Sequence, residues 1–218
     1  KNIIVSGGDE VSEFIVSGFQ SFQSLSSKPC RPFDKSRDGL TLGEGIGSIL
    51  ISSDPGVFLE EAPVKVLGGS SSNDANHISG PSRTGAGLQI AIRHALTASQ
   101  ISPDQIHMIS AHGTATDYND EMEAKAFNST GLGTTPINSF KGYIGHTLGA
   151  AGVIETAILL QAMRNDILIR SAGYETHGLT RDINIIRETE QSTMNTCLKT
   201  ASGFGGSNAA LLLQKYHS

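Results

Sequence analysis

The 218-residue sequence has 38% apolar side chains, enough to build a sizeable core, and a formal net charge of −5. Nucleic acid and anionic membrane surfaces are excluded as main partners, because both need clustered lysine and arginine side chains. No window reaches the roughly 18 apolar residues that a membrane-spanning helix requires, so the sequence predicts no membrane association.

The two cysteines, Cys30 and Cys197, are far apart and match neither a CxxC pair nor a zinc-ligand spacing. They therefore predict no disulfide framework and no metal site. A reducing cytoplasm is the compartment that this cysteine usage favours.

Short apolar runs and turns alternate through the first third of the chain. We predict strands at residues 2–5, 43–51 and 64–67, and a short helix or ordered loop at 11–25. The run 43–51 follows a turn-rich stretch and has the composition of a fully buried strand.

The remainder alternates longer helices with strands. We predict helices at 83–99, 117–128 and 149–164, and strands at 106–110 and 209–213 around a turn at 203–206. The helix 149–164 is apolar enough to be buried. This order of elements predicts a single unit with an α/β layered fold and a central sheet.

Acidic residues cluster at the start of the predicted helix 117–128, where the helix dipole favours negative charge. We expect Asp117, Asp120, Glu121 and Glu123 to form an exposed acidic face. A metal site there is disfavoured, because no histidine lies at ligand spacing.

Three segments place a histidine, a lysine or a phenylalanine beside glycines near predicted strand ends. They read SAHGTAT at 110–116, KGYIGHTLGAAG at 141–152 and GFGGSN at 203–208. The patterns HGTxTxxxD, KxxxGHxxGAAGxxE and GFGGxN, in this order, resemble the β-ketoacyl-acyl carrier protein synthases (ketosynthases) of the thiolase superfamily. RPFD at 31–34, RDG at 37–39 and GEG at 43–45 extend the resemblance to nearly the whole chain.

The resemblance implies a thiolase-like layered α-β-α-β-α fold. About 1–40 would be the end of the N-terminal half with its crossover, and about 41–218 the C-terminal half. Without the rest of the paired architecture, apolar surface would be exposed, which predicts self-association or poor solubility of the 218-residue chain alone.

The implied reaction is a decarboxylative Claisen condensation of an acyl thioester with malonyl-acyl carrier protein, as in fatty acid or polyketide chain elongation. By resemblance, His112 and His146 donate hydrogen bonds to the malonyl thioester carbonyl, and Lys141 lies behind them. Glu155 would pair with Lys141.

Further roles follow from the same resemblance. Thr114 and Thr116 would bind a pantetheine amide, and Phe204 would gate the acyl pocket on its flexible glycine neighbours. The substrates would arrive on the phosphopantetheine of acyl carrier protein, with no other cofactor and no metal. The implied partners are acyl carrier protein and either a second copy or a related ketosynthase subunit.

The family's nucleophilic cysteine would lie upstream of the segment 2–8, outside this sequence. Cys30 and Cys197 lack the small-residue elbow that a nucleophile needs. One alternative is therefore a non-catalytic partner, similar to a chain-length factor, that shapes the pocket of an active ketosynthase. Another is a thiolase-fold enzyme with hydrolytic or non-decarboxylative chemistry, although the KxxxGH pattern disfavours it.

Overall fold

A computed structural model describes residues 1–58 and 63–216. Its strands are β1 (Asn2–Asp9), β2 (Gly45–Ser52), β3 (Val64–Asn73), β4 (Met108–Ser110), β5 (Ile137–Asn138), β6 (Ile167–Leu168), β7 (Glu190–Gln191), β8 (Thr196–Gly203) and β9 (Ser207–Lys215). Its α-helices are α1 (Glu13–Ser21), α2 (Ala86–Ser99), α3 (Asp117–Ser129), α4 (Lys141–Ile144) and α5 (Ala151–Arg164). Within these described ranges, no helix has the length and apolar character to cross a membrane.

Every strand and long helix predicted from the sequence is present, most with different ends. The short elements α4, β5, β6 and β7 were not predicted. Two to four residues are too few to produce a readable hydrophobic period, so pattern analysis passes over them.

A five-stranded mixed sheet forms the centre, in the order β3-β9-β8-β4-β5. The strand β9 is antiparallel to both β3 and β8, whereas β4 is parallel to β8 and β5. The parallel pair brings the carboxyl ends of β4 and β5 to the same edge of the sheet.

Alternation along the strands divides the core between the two faces of this sheet. Ile109, Leu198 and Leu212 belong to the hydrophobic cluster that includes the apolar side of α2. Their chain neighbours Met108, Cys197 and Leu213 belong to the cluster that includes α5. Helices therefore cover both faces, as expected for a layered α/β protein.

A second sheet, made of β1 and β2 in antiparallel register, packs on the other side of α5. Close packing depends on glycine here, because a Cβ on Gly47 would lie 2.9 Å from Cγ1 of Ile154 in the helix. The order of layers is thus sheet β1–β2, helix α5, the five-stranded sheet, and helices α2 and α3. The predicted α/β layered fold is confirmed.

The prediction that residues 43–51 form a buried strand was wrong. Ile46 of β2 is 83% exposed, and Ile4 of the paired β1 is 71% exposed. The run has buried-strand composition, but α5 covers only one face of the two-stranded sheet. The expected exposure of apolar surface is confirmed, and self-association stays a prediction.

A buried carboxylate fixes the segment before β2. One oxygen of Asp34 accepts from the Ser36 amide at 2.8 Å and from its hydroxyl at 2.6 Å. The other accepts from the amides of Glu175 at 2.8 Å and Thr176 at 2.7 Å. Burial opposes ionisation, but these hydrogen bonds lower the pKa of Asp34 to about 2.

Replacing Asp34 with asparagine should lower the free energy of unfolding by roughly 3 kcal/mol at pH 7, because the amide NH2 group cannot accept from backbone amides. Since the pKa is depressed when folded, this stabilisation is present above the usual 3.8 and is lost as the pH falls towards 2. Urea unfolding of the variant beside Asp104→Asn, at an exposed site, measures the effect. Equal midpoints for the two variants would contradict this account.

Candidate active site

The main pocket, about 710 Å³, lies beside the carboxyl end of β4 and the β8–β9 turn. His112 follows β4, His146 follows α4, and Phe204 forms the turn. The pocket is lined by these three residues and by Thr114, Thr116 and Glu155, among others. Six of the seven predicted site residues therefore share one cavity, and the seventh, Lys141, lies behind it.

His112 is held by the backbone that follows β4. Glu123 of α3 accepts from the amide of His112 at 2.8 Å and from that of Gly113 at 2.6 Å. Gly113 has φ +44, and a Cβ there would lie 2.5 Å from Ser139 Cβ, so the sharp turn requires glycine. This turn directs the chain from the sheet into the pocket.

The ring of His112 contacts a buried ammonium group. Lys141 Nζ lies 3.3 Å from Nδ1 of His112 and also donates to the His112 carbonyl and, at 2.6 Å, to Glu155 Oε1. An ammonium group can only donate, so Nδ1 of a neutral His112 must accept. The proton is then on Nε2, which is the donor that His112 can offer to a ligand.

His146 reaches the same tautomer by a different route. The Leu148 amide lies 3.2 Å from Nδ1 of His146 and donates to it, which again leaves the proton on Nε2. The preceding Gly145 has φ +70, where a Cβ would lie 2.9 Å from the backbone of Leu42. The histidine in the KxxxGH pattern therefore needs its glycine.

The two rings meet edge to face, with centroids 5.1 Å apart. Burial, and then the charge of Lys141, lowers the pKa of His112 well below its usual range. The same influences lower the pKa of His146 to about 3. Both histidines are neutral at pH 7, so the site presents two neutral N–H donors side by side.

The remaining predicted residues also line the pocket. The hydroxyls of Thr114 and Thr116 are 2.9 Å apart, although Ala115 between them has φ +62 and the segment is not extended. Phe204 is 53% exposed, and its ring centroid lies 5.6 Å from those of Phe19 and Phe22. An aromatic cluster thus forms one rim of the pocket.

The prediction of an exposed acidic face on α3 was wrong for two of its members. Asp120 and Glu123 are fully buried and accept hydrogen bonds from backbone amides, including Phe33 N to Asp120 at 2.7 Å. Burial raises the pKa of Asp120 to about 7 and also raises that of Glu123. Hydrophobicity scales treat such carboxylates as surface groups, although the HGTxTxxxD pattern does include Asp120.

Sequence analysis missed Lys199, a buried lysine in the middle of β8. Its Nζ lies 2.6 Å from Oε2 of Glu155, the carboxylate whose other oxygen pairs with Lys141. The available signal was a single charged residue within the otherwise uncharged strand TCLKTASG. A lone charge in such a strand indicates a buried ion pair.

Neither cysteine lines the pocket. Cys30 is 3% exposed and donates to the Lys141 carbonyl, while Cys197 is fully buried in β8. Burial raises the pKa of Cys30 and raises that of Cys197 to about 12. Neither thiol therefore has the thiolate character that a nucleophile needs.

Two family models match separate segments of this chain. Residues 64–175 match the beta-ketoacyl synthase C-terminal domain, and residues 1–55 match the beta-ketoacyl synthase N-terminal domain. The mitochondrial 3-oxoacyl-[acyl-carrier-protein] synthase of Arabidopsis thaliana is 32% identical over 97% of this chain and 50% of its own length. The 3-oxoacyl-[acyl-carrier-protein] synthase 2 of Coxiella burnetii is 30% identical over 97% and 55%.

Solved structures agree. A beta-ketoacyl synthase from Burkholderia phymatum superposes with a TM-score of 0.92 at 25% identity, over 99% of this chain and 55% of its own. A ketosynthase in complex with its chain length factor from Xenorhabdus doucetiae gives 0.85 at 32% identity, over 99% and 53%. A type II polyketide synthase ketosynthase, solved with its acyl-carrier protein, gives 0.90 at 28%, over 98% and 56%.

The stacked sheets and helices form a thiolase-like fold, in which the two histidines lie beside the strand ends. The chain belongs to the β-ketoacyl synthase family, to whose N- and C-terminal domains its two segments correspond. It spans about half the length of the curated relatives it matches.

Proposed function

We propose that this chain supplies the malonyl-activating part of a ketosynthase that catalyses decarboxylative condensation on acyl carrier protein. The observation that carries the proposal is the pair of neutral histidines, each with Nδ1 engaged and Nε2–H left to donate into one pocket. Two N–H donors suit a thioester oxygen that gains negative charge.

In the proposed reaction, the malonyl thioester oxygen accepts from His112 and His146. The bond between the malonyl α-carbon and its carboxylate breaks, and carbon dioxide leaves. The electron pair of that bond forms an enolate, whose negative charge lies on the thioester oxygen. The enolate carbon attacks an acyl thioester on a cysteine supplied from outside this sequence. The new carbon–carbon bond expels the cysteine thiolate and leaves a β-ketoacyl group on the carrier protein.

The proposed substrates arrive on the phosphopantetheine arm of acyl carrier protein. The paired hydroxyls of Thr114 and Thr116 can bind an amide of that arm, and Phe204 can gate access from the aromatic rim. We propose acyl carrier protein and a second copy or a related ketosynthase subunit as partners. Two of the relatives support these kinds of partner, since one was solved with an acyl-carrier protein and another with a chain length factor.

Malonyl decarboxylation tests this proposal in the protein purified from its own cells. Because both histidine pKa values are depressed, the donors stay neutral, and the rate should hold from pH 8 down to about pH 5 as far as these groups determine it. Carbon dioxide release from malonyl-acyl carrier protein across this range measures it. Absence of release, or an acid limb at the usual histidine value of 6.5, would contradict the proposal.

A second candidate is a non-catalytic partner that shapes the pocket of an active ketosynthase. It is favoured by the burial of Cys30 and Cys197 away from the pocket. The discriminating result would be no decarboxylation by the purified protein, together with a changed product length when it is added to a partner ketosynthase.

A further inference from the structure

The buried side chain of Lys199 contacts several groups around the site. Besides Glu155, its Nζ approaches the carbonyl oxygens of Thr200 at 2.8 Å, Ala111 at 3.4 Å and Ser110 at 3.5 Å. Ser110 is the last residue of β4, and Ala111 lies between it and His112. Lys199 is 4% exposed and does not line the pocket, so it cannot touch the substrate directly.

Glu155 is shared between two lysines, one on each oxygen. Lys141 and Lys199 each lie 2.6 Å from their own oxygen of the carboxylate. Burial alone would raise the pKa of Glu155, but the two ammonium groups together hold it below its usual value. The carboxylate is therefore ionised, and its orientation is set by opposing partners.

This sharing determines where Lys141 directs its protons. Its three N–H groups go to Glu155 Oε1, the His112 carbonyl and His112 Nδ1, and the contact to Nδ1 is the longest at 3.3 Å. Without Lys199, Oε2 of Glu155 would have no charged partner among residues 1–58 and 63–216. The carboxylate could then turn both oxygens towards Lys141 and draw Nζ away from the imidazole.

We propose that Lys199 is a positioning residue: by occupying Oε2 of Glu155 it keeps Lys141 on His112 Nδ1, and so keeps the Nε2–H tautomer of His112. The expected effect of Lys199 on the reaction rate rests on the proposed condensation, whereas its expected effect on the tautomer of His112 does not. Lys199 also adds positive charge that lowers the pKa of His112 and His146, so its removal should raise both.

The test is Lys199→Met in the full chain labelled with 15N-histidine. Long-range 1H–15N spectra report the tautomer and pKa of each ring, and the His112 signal is assigned by its loss in His112→Asn. We expect His112 to be a single Nε2–H tautomer in the wild type, and a mixture with a raised pKa in the variant. The matched control is Lys215→Met. Lys215 lies on the neighbouring strand β9 and pairs with Asp166 at 2.7 Å.

The kinetic arm uses malonyl decarboxylation by the natural protein. Lys199→Met should lower kcat roughly 10- to 100-fold, as expected for small displacements of a reacting group, and leave KM within about twofold. Lys199→Arg keeps the charge and the donors and should recover most of the rate. Because the substitutions act through one carboxylate, Lys199→Met and Glu155→Gln together should lower kcat less than the product of their separate effects.

Lys199→Leu, which also removes the donor to Glu155, provides a second variant if the methionine variant does not fold. Folded variants with the wild-type tautomer and pKa of His112 would overturn the proposal, as would a kcat within about twofold of an active wild type. If neither variant folds while Lys199→Arg behaves like the wild type, Lys199 has a purely structural role, and the proposal is also overturned. A wild type that does not decarboxylate malonyl thioesters, with the tautomer still dependent on Lys199, would instead refute only the proposed function.

Discussion

His146→Ala is expected to lower the rate of malonyl decarboxylation by roughly 100- to 1,000-fold, the usual effect of removing one oxyanion donor. The Nδ1 of His146 is occupied by the Leu148 amide at 3.2 Å, so its remaining polar function is the Nε2–H. Alanine leaves the second donor, His112, to hold the thioester oxygen alone. Because the lost bond strengthens as charge develops, kcat should fall much more than KM rises.

Single-turnover release of carbon dioxide measures this effect, and two further variants serve as controls. His146→Asn keeps an N–H donor near the same position and should recover part of the rate. His94→Ala, at an exposed position on α2, should match the wild type. A rate for His146→Ala within tenfold of the wild type would show that this ring does not hold the oxyanion.

Glu155→Gln is expected to lower the free energy of unfolding by roughly 3–5 kcal/mol, the usual result of removing one partner from a buried ion pair. The carboxylate is 1% exposed and lies 2.6 Å from both Lys141 and Lys199. A neutral amide would leave two buried ammonium groups facing each other without a counter-ion. Repulsion between them would be relieved only by deprotonation or by unfolding.

The matched control is Glu190→Gln, an exposed glutamate in β7, which should change the urea midpoint very little. Since the pKa of Glu155 is depressed in the folded state, its contribution is present above the usual 4.5 and is lost as the pH falls below that value. The difference between the two variants should therefore shrink in acid. Equal unfolding free energies at pH 7 would contradict the proposed charge sharing.

The strands and long helices could be predicted because their apolar residues repeat at the periods of 2 and 3.6 that burial on one face imposes. Burial itself could not be predicted for β2. A strand that packs on one helix has the same composition as one packed on both faces, so Ile46 gave no indication of its exposure.

The candidate site could be located because glycine requirements produce short fixed patterns. Gly113 and Gly145 both adopt positive φ beside a histidine, and their replacement would strain the turn. The charges beneath the site were harder to read. Lys199 meets Glu155 from 44 positions away, a contact that no local pattern records. The burial of Asp120 likewise depends on a backbone amide from a distant segment, that of Phe33.

Condensation by the protein purified from its own cells is the most direct test of the central claim. Acyl-acyl carrier protein and malonyl-acyl carrier protein would be incubated with it, and the carrier-bound product identified by mass spectrometry. The account predicts a β-ketoacyl group two carbons longer than the starting acyl group, with release of carbon dioxide, and loss of both on replacement of His112 and His146. Unchanged thioesters in the presence of the folded protein would contradict it.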